Sequence, residues 1–387
     1  MQSPIHVIAH VVAATALMLG AATLGAPAGL ADSTGVSESE IKIGSMGPFS
    51  GPSYNAGKLA MNGIEAVFAD VNAAGGIHGR KLVLIREDDD CKPERAIGAI
   101  KKLAYEHKVF ALIGGSCSNS TLAMRPEAIE AKIPFVIHSA VADGITMPVA
   151  ANIFTTQLTS SVESRAQLQF ALDKGAKKIA IVAQRDAWGM ARYTPLMEAI
   201  KAKGIQPVAD EEIQAEPNDA TAQILRIRGK GADTVILVTY PKAGAMLIRD
   251  AMKVGYKPLW IAQTAINDVD MFQKQVGQPG ALDNFFTITA TRYQPTDPEM
   301  ETWRKRIQTM FPGDDLSVFN LNGIGSAQVM VEALKKAGKN LTRESFLQAM
   351  GSIKDFKTDV YPGPITCNAP ASHQCNQRPA WIAVKDG

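Results

Sequence analysis

Residues 114–121 read "GGSCSNST" and follow the apolar run Val109-Phe110-Ala111-Leu112-Ile113. Glycines, serines and a cysteine so placed offer four kinds of chemistry: a cysteine nucleophile at Cys117, a serine nucleophile at Ser116, a phosphate cradle, or an anion site that binds without reacting. All four use a strand that ends in glycines and opens into a helix. The first N–H groups of a helix are unpaired, and its dipole favours negative charge there.

The reactive readings fail on spacing. "GGSCS" nearly fits the strained G-x-S-x-G elbow, but Ser118 stands where the final glycine belongs. "GGIHGR" at 75–80 follows a helical stretch and precedes a strand, the reverse of a dinucleotide fingerprint, and no G-K-[ST] triplet has phosphate-loop spacing. His6, His10, His78, His107, His138 and His373 fall in no metal-ligand pattern. The run Asp88-Asp89-Asp90 lacks the alternating oxygen ligands of a calcium loop and reads as a solvated strand end. Neither catalytic residues nor a metal or cofactor site is expected. Ser118, Asn119, Ser120 and Thr121 suit capping of the next helix equally well, and Ser118 also suits a ligand carboxylate.

Residues 1–31 contain the small, apolar run "VIAHVVAATALMLGAATLGA" followed by "PAGLAD", which reads as a secretory signal peptide, although no Lys or Arg precedes Lys42. No cysteine lies near the cleavage region, so a lipid anchor is not expected. Export to an oxidising compartment turns the four cysteines toward disulfides. Cys91 and Cys117 are 26 residues apart, and Cys367 and Cys375 are 8 apart, so two local bridges are the simplest of three pairings. A bridged Cys117 has no thiolate to offer as a nucleophile.

Positioning such loops requires strands and helices in alternation. "IKIGSM", "KLVLIRE", "VFALIGG" and "PFVIHS" are strand-like, and helical patterns separate them. In the helical stretch 93–106, Ile97, Ile100, Leu103 and Ala104 mark the buried face. After "ANIFTTQ" the alternation restarts, with strands "KKIAIVAQ", "DTVILVTY" and "PLWIA", and the last strand-like run, "PAWIAVK", completes a preceding unit. The fold class is α/β, as two doubly wound parallel-sheet lobes, with ligands beyond the carboxyl ends of the strands. There "AQRDAWGMA" and "VTYPKAG" put Trp188 and Tyr240 where aromatic faces can cover an apolar ligand. Forty basic residues against 38 acidic ones give +2 without a basic cluster, so nucleic acid is not an expected partner.

With "IKIGSMGPFSGPSYNAGKLAMNGIEAVFADVNAAGGIHGRKL", "DDDCKPERAIGAIKKL" and "ALIGGSCSNST" in view, the chain resembles the periplasmic branched-chain amino-acid-binding proteins of ABC transporters, a type I binding-protein family. The likeness covers nearly all the chain beyond the signal. It implies a periplasmic monomer whose lobes, 40–157 plus 290–361 and 158–289 plus 362–387, are joined by a three-crossing hinge and close on a ligand. It also implies a membrane permease as partner, the Cys91–Cys117 bridge, and carboxylate contacts at Ser118, Ser139 and Ala140. Tyr54, Cys117, Val141, Arg185, Trp188, Tyr240, Gln263 and Thr264 complete the expected ligand set.

Two departures from the family pattern bear on the ligand. Val141 stands where amino-acid binders have a threonine, and "QTAIN" at 263–267 offers no acid to pair an ammonium. A buried ammonium without a partner is costly. The expected ligand is therefore an aromatic or other apolar carboxylic acid of benzoate or cinnamate type, with Arg185 as a second anion contact. The alternatives are a hydrophobic amino acid, with Asp268 or Asp270 supplying the acid if the alignment slips, a ligand sensor serving a membrane receptor, and a secreted hydrolase using Ser116.

Overall fold

Uninterrupted apolar strands are the residues that form the centres of the sheets. "ALIG", "IAIVA" and "TVILV" are buried at every position, as parallel strands covered on both faces must be. The computed structural model describes residues 32–367 and 373–384, so the expected signal peptide lies outside the described residues. In chain order the first part comprises β1 (Glu40–Gly47), α1 (Tyr54–Ala73), β2 (Lys81–Asp88), α2 (Pro93–Lys101), β3 (Ala111–Gly114), α3 (Ser118–Glu130), β4 (Phe135–Ile137) and β5 (Ile153–Thr155). The five strands form one parallel sheet in the order β2-β1-β3-β4-β5.

The chain continues with α4 (Ser160–Asp173), β6 (Ile179–Ala183), α5 (Ala187–Ala202), β7 (Ala209–Glu212), α6 (Thr221–Gly229), β8 (Thr234–Val238), α7 (Pro241–Lys253), β9 (Leu259–Ala262), α8 (Val269–Val276) and β10 (Phe285–Thr289). It then adds α9 (Glu301–Met310), α10 (Val318–Ala337), α11 (Arg343–Gly351) and β11 (Ala380–Ala383). The second sheet has the order β11-β10-β9-β8-β6-β7. Its strands are parallel except β11, which pairs antiparallel with β10. The fold is thus two α/β lobes of the hinged type I binding-protein kind.

Helices α9, α10 and α11 return to the first sheet: Ile307, Leu321, Ile324 and Phe346 share one core with Ile41, Ile43 and Ile113. The chain therefore passes between the sheets three times: after β5, after β10 and before β11. Capping boxes at Ser317 with Asn320 and at Thr342 with Ser345 start α10 and α11.

Two expectations need correction. Ile97 is 39% exposed, because Ala96, Ala99, Ile100 and Leu103 set the phase of the buried face and leave Ile97 at its rim. The acidic run is not a solvated end. Asp88 accepts hydrogen bonds from Phe49 N–H and the Ser50 hydroxyl, and Asp89 is fully buried and accepts from Cys91 N–H, so the run clamps the "GPFSG" loop.

Candidate functional site

The disulfides Cys91–Cys117 and Cys367–Cys375 are both present. The first ties the loop after β2 to the start of α3, where Cys117 is the N-cap residue and Ser118 the first helical residue. Gly115, just before them, has a φ of +79°, which a side chain would strain. Ser118 does not cap its own helix. Its hydroxyl lies 3.2 Å from Val141 N and 3.3 Å from Ala142 N, accepting from both. Thr121 Oγ1 instead donates to Cys117 O, and Asn119 Nδ2 to Cys91 O. Ser139 Oγ is 2.7 Å from His138 Nδ1, and Ala140 N donates to Gly115 O. Burial pushes the His138 imidazole down to about 4, so it is neutral at ordinary pH.

The second lobe adds an aromatic wall. Trp188 and Tyr240 stack with ring centroids 4.0 Å apart. Three contacts hold them: Asp186 caps α5 through Gly189 N–H, Gln184 Oε1 accepts from Tyr240 N at 2.6 Å, and Gln184 Nε2 donates to Asp186. A Cβ on Gly189 would fall 2.1 Å from Gln184 O, so only glycine permits this approach. Gln263 is fully buried and spends its side chain on Thr239 O and Ala265 N, which fixes the loop after β9.

What joins anion loop to aromatic wall is the start of α4, which spacing did not single out. Ser160 donates from both N–H and Oγ to Val141 O, and Ser161 donates to Asp143. One helical turn further in, Glu163 is fully buried, and its Oε1 accepts from Thr264 N at 3.0 Å. Its Oε2 lies 3.3 Å from Arg192 Nε, and the Arg192 guanidinium sits 4.3 Å above the centre of the Trp188 ring. Burial raises the Tyr240 phenol, and the charge of Arg192 opposes that shift. A buried acid and a buried arginine therefore lie among the expected ligand residues.

Other expected residues fall at the margins. Arg185 donates to Asp210 at 2.6 Å and lies over the Tyr193 ring, so its guanidinium already has a carboxylate partner. Tyr54 opens α1 and is 43% exposed. Asp268 caps α8 through Met271 N–H, and Asp270 follows in its first turn. A concavity of about 650 Å³ beside Tyr193, Met197, Lys201 and Pro207 includes none of the loop residues described above. Among the described residues no group of His, Cys, Asp and Glu forms a metal site, and no helix is long and apolar enough to cross a membrane.

The periplasmic binding protein family profile matches residues 40–387. Leu/Ile/Val-binding protein homolog 7 of Brucella abortus is 26% identical over 327 residues, covering 81% of each chain. A Streptococcus pneumoniae branched-chain amino acid transporter substrate-binding protein, in complex with isoleucine, superposes with a TM-score of 0.71 at 20% identity, covering 89% of this chain and 99% of that one. An R. palustris ABC transporter solute-binding protein in complex with 4-hydroxybenzoate gives 0.73 at 20% identity, covering 90% and 94%. The family and fold are those of non-catalytic transport and binding proteins. The chain belongs to the periplasmic binding protein family.

Proposed function

We propose that the protein captures a hydrophobic amino acid in an extracytoplasmic compartment and delivers it to an ABC permease. The lobes, 40–157 plus 290–361 and 158–289 plus 362–387, close around it. One observation carries this: hydrogen bonds link Ser118 to Val141 and Val141 to Ser160, and one turn on from Ser160 the Glu163–Arg192 ion pair leads to the Trp188 ring, so that the start of α3 is tied to the aromatic pair. In this reading the ligand carboxylate binds at Ser118 and Ser139, the Ala140 N–H being taken by Gly115 O, and the apolar part lies against Trp188 and Tyr240. Helix N-termini favour carboxylates, and stacked aromatics cover apolar groups. The names of the amino-acid-binding relatives support it.

The aromatic acid expected from the sequence becomes the second reading. It rested on Val141 in place of a threonine and on the absence of an acid in the loop after β9; Glu163 supplies an acid beside that loop, and the Val141 departure stands. The flat Trp188–Tyr240 stack and the 4-hydroxybenzoate complex of a similar fold still favour it.

A thermal-shift and calorimetry panel of leucine, isoleucine, valine, phenylalanine, benzoate and cinnamate decides between them. A ligand at a hundred times its Kd stabilises the folded state by about 2.7 kcal/mol. Stabilisation by the amino acids alone supports the first reading, and stabilisation by benzoate or cinnamate alone overturns it.

A further inference from the structure

Along one face of α4 and the residue before it, Thr159, Glu163 and Gln167 recur every four residues. Each is at least 95% buried, and each has a side-chain atom without a hydrogen-bond partner: Thr159 Oγ1, Glu163 Oε2 and Gln167 Nε2. Arg192 Nε, across from them on α5, is likewise unpartnered, although it lies 3.3 Å from Glu163 Oε2. Buried polar atoms left unspent are costly, and they mark places where a further polar group completes the set. Removing one member of a buried charge pair leaves the other uncompensated in a weakly screening interior.

Glu163 holds Thr264 N–H with its other oxygen, and Arg192 lies over Trp188 and acts electrostatically on Tyr240. Both charges are thus in contact with the second-lobe wall of the site.

We propose that Glu163 and Arg192 are the specificity-determining pair of this site. Their charges cancel, so the site accepts a ligand of zero net charge, and Glu163 Oε2, which faces Arg192 without a hydrogen bond, receives the ligand's donor group. A zwitterion fits this arrangement: its carboxylate goes to the start of α3 and its ammonium faces Glu163. A simple mono-anion leaves Glu163 Oε2 unspent and adds negative charge beside it. The proposal rests on the amino-acid reading given above and assigns its selectivity to residues outside the loop after β9.

The test compares L-leucine with 4-methylpentanoate, the same skeleton without the ammonium, by calorimetry on the purified protein. Four proteins are measured: wild type, Glu163→Gln, Arg192→Gln and the double variant. The wild type is expected to prefer leucine. Glu163→Gln, with a net positive pair, should shift the ratio of affinities toward 4-methylpentanoate by roughly tenfold or more, and Arg192→Gln should shift it the other way. The double variant, neutral again, should return toward the wild-type ratio, which loss of packing alone would not produce. If Glu163→Gln does not fold, Arg192→Gln still reads the direction.

A wild type that binds leucine with a ratio unchanged across the variants overturns the charge assignment while leaving the amino-acid reading intact. A wild type that binds 4-methylpentanoate and not leucine overturns both.

Discussion

At the scale of single residues, the same carboxylate chemistry serves opposite ends. Asp89 is buried, keeps one oxygen unpartnered, and is pushed up to about 6, chiefly because desolvation disfavours its charge. Its folded value lies above its unfolded value of 3.8, so the native state holds the proton more tightly. Stability contributed by this group is present at low pH and is lost as pH rises from about 4 to 6. Asp89→Asn keeps an acceptor for Cys91 N–H and cannot titrate. Its stability relative to wild type should rise across that window by at most about 3 kcal/mol and level off above it, as read by urea unfolding at several pH values. In the proposed site Trp188 faces the ligand. Trp188→Ala should weaken binding by about 1 to 3 kcal/mol through lost burial, and an unchanged Kd would mean the ring only packs on Tyr240 and Arg192. Trp188 and Tyr240 were legible as aromatics at strand ends. Glu163 and Arg192 were not, since a lone charge on a helix says nothing of its partner 29 residues away.

Among the elements, the start of α3 depends on what is fastened to it. The Cys91–Cys117 bridge joins it to the loop after β2, and Asn119 adds a hydrogen bond to Cys91 O. Replacing both cysteines by serine should cost roughly 3 kcal/mol in the loop-entropy account, measured by chemical unfolding. Because Ser118 follows Cys117 directly, ligand affinity should fall as well, and a variant with full affinity would show that β3 and Gly115 place Ser118 unaided. The strand and helix order was readable because a parallel sheet covered on both faces demands long apolar runs, and "IAIVA" and "TVILV" are such runs. The sense of β11 was not readable, because four residues with mixed exposure carry no mark of parallel or antiparallel pairing.

For the whole molecule, the three passages between sheets are hydrogen-bonded to one another. Thr155 N donates to His373 O, Cys375 N donates to Thr155 O, and Asn376 Nδ2 donates to Ala290 O. Thr156 Oγ1 and Ser326 Oγ are 2.6 Å apart, with Tyr361 OH 3.3 Å from the same serine, and burial raises that phenol to about 12. The Cys367–Cys375 bridge closes the third passage beside these contacts. The connection between the lobes is therefore a cross-linked hinge instead of three independent strands. Asn376→Ala unties the third passage from the second without touching a proposed ligand residue. The ligand-free variant should have a larger radius of gyration by small-angle scattering and a weaker apparent affinity, because less of it occupies the closing conformation. The saturated proteins should scatter alike, and identical ligand-free curves would mean the contact does not govern the hinge.

Sequence alone determined the α/β class, the alternation of elements and the glycine-to-helix turn at 114–118, because these rest on neighbours in the chain, apolar runs and φ-permissive glycines; it made two local disulfides the simplest of three pairings, and the structure chose them. Tertiary structure alone decided where the polar side chains spend their bonding. Ser118 turns to the amides of 141 and 142, Arg185 is taken by Asp210, the acidic run clamps a loop, and Glu163 meets both Thr264 and Arg192. Hydrogen bonds and charge pairs reach only a few ångströms, so their partners are fixed when the sheets and helices pack, and no local pattern encodes them.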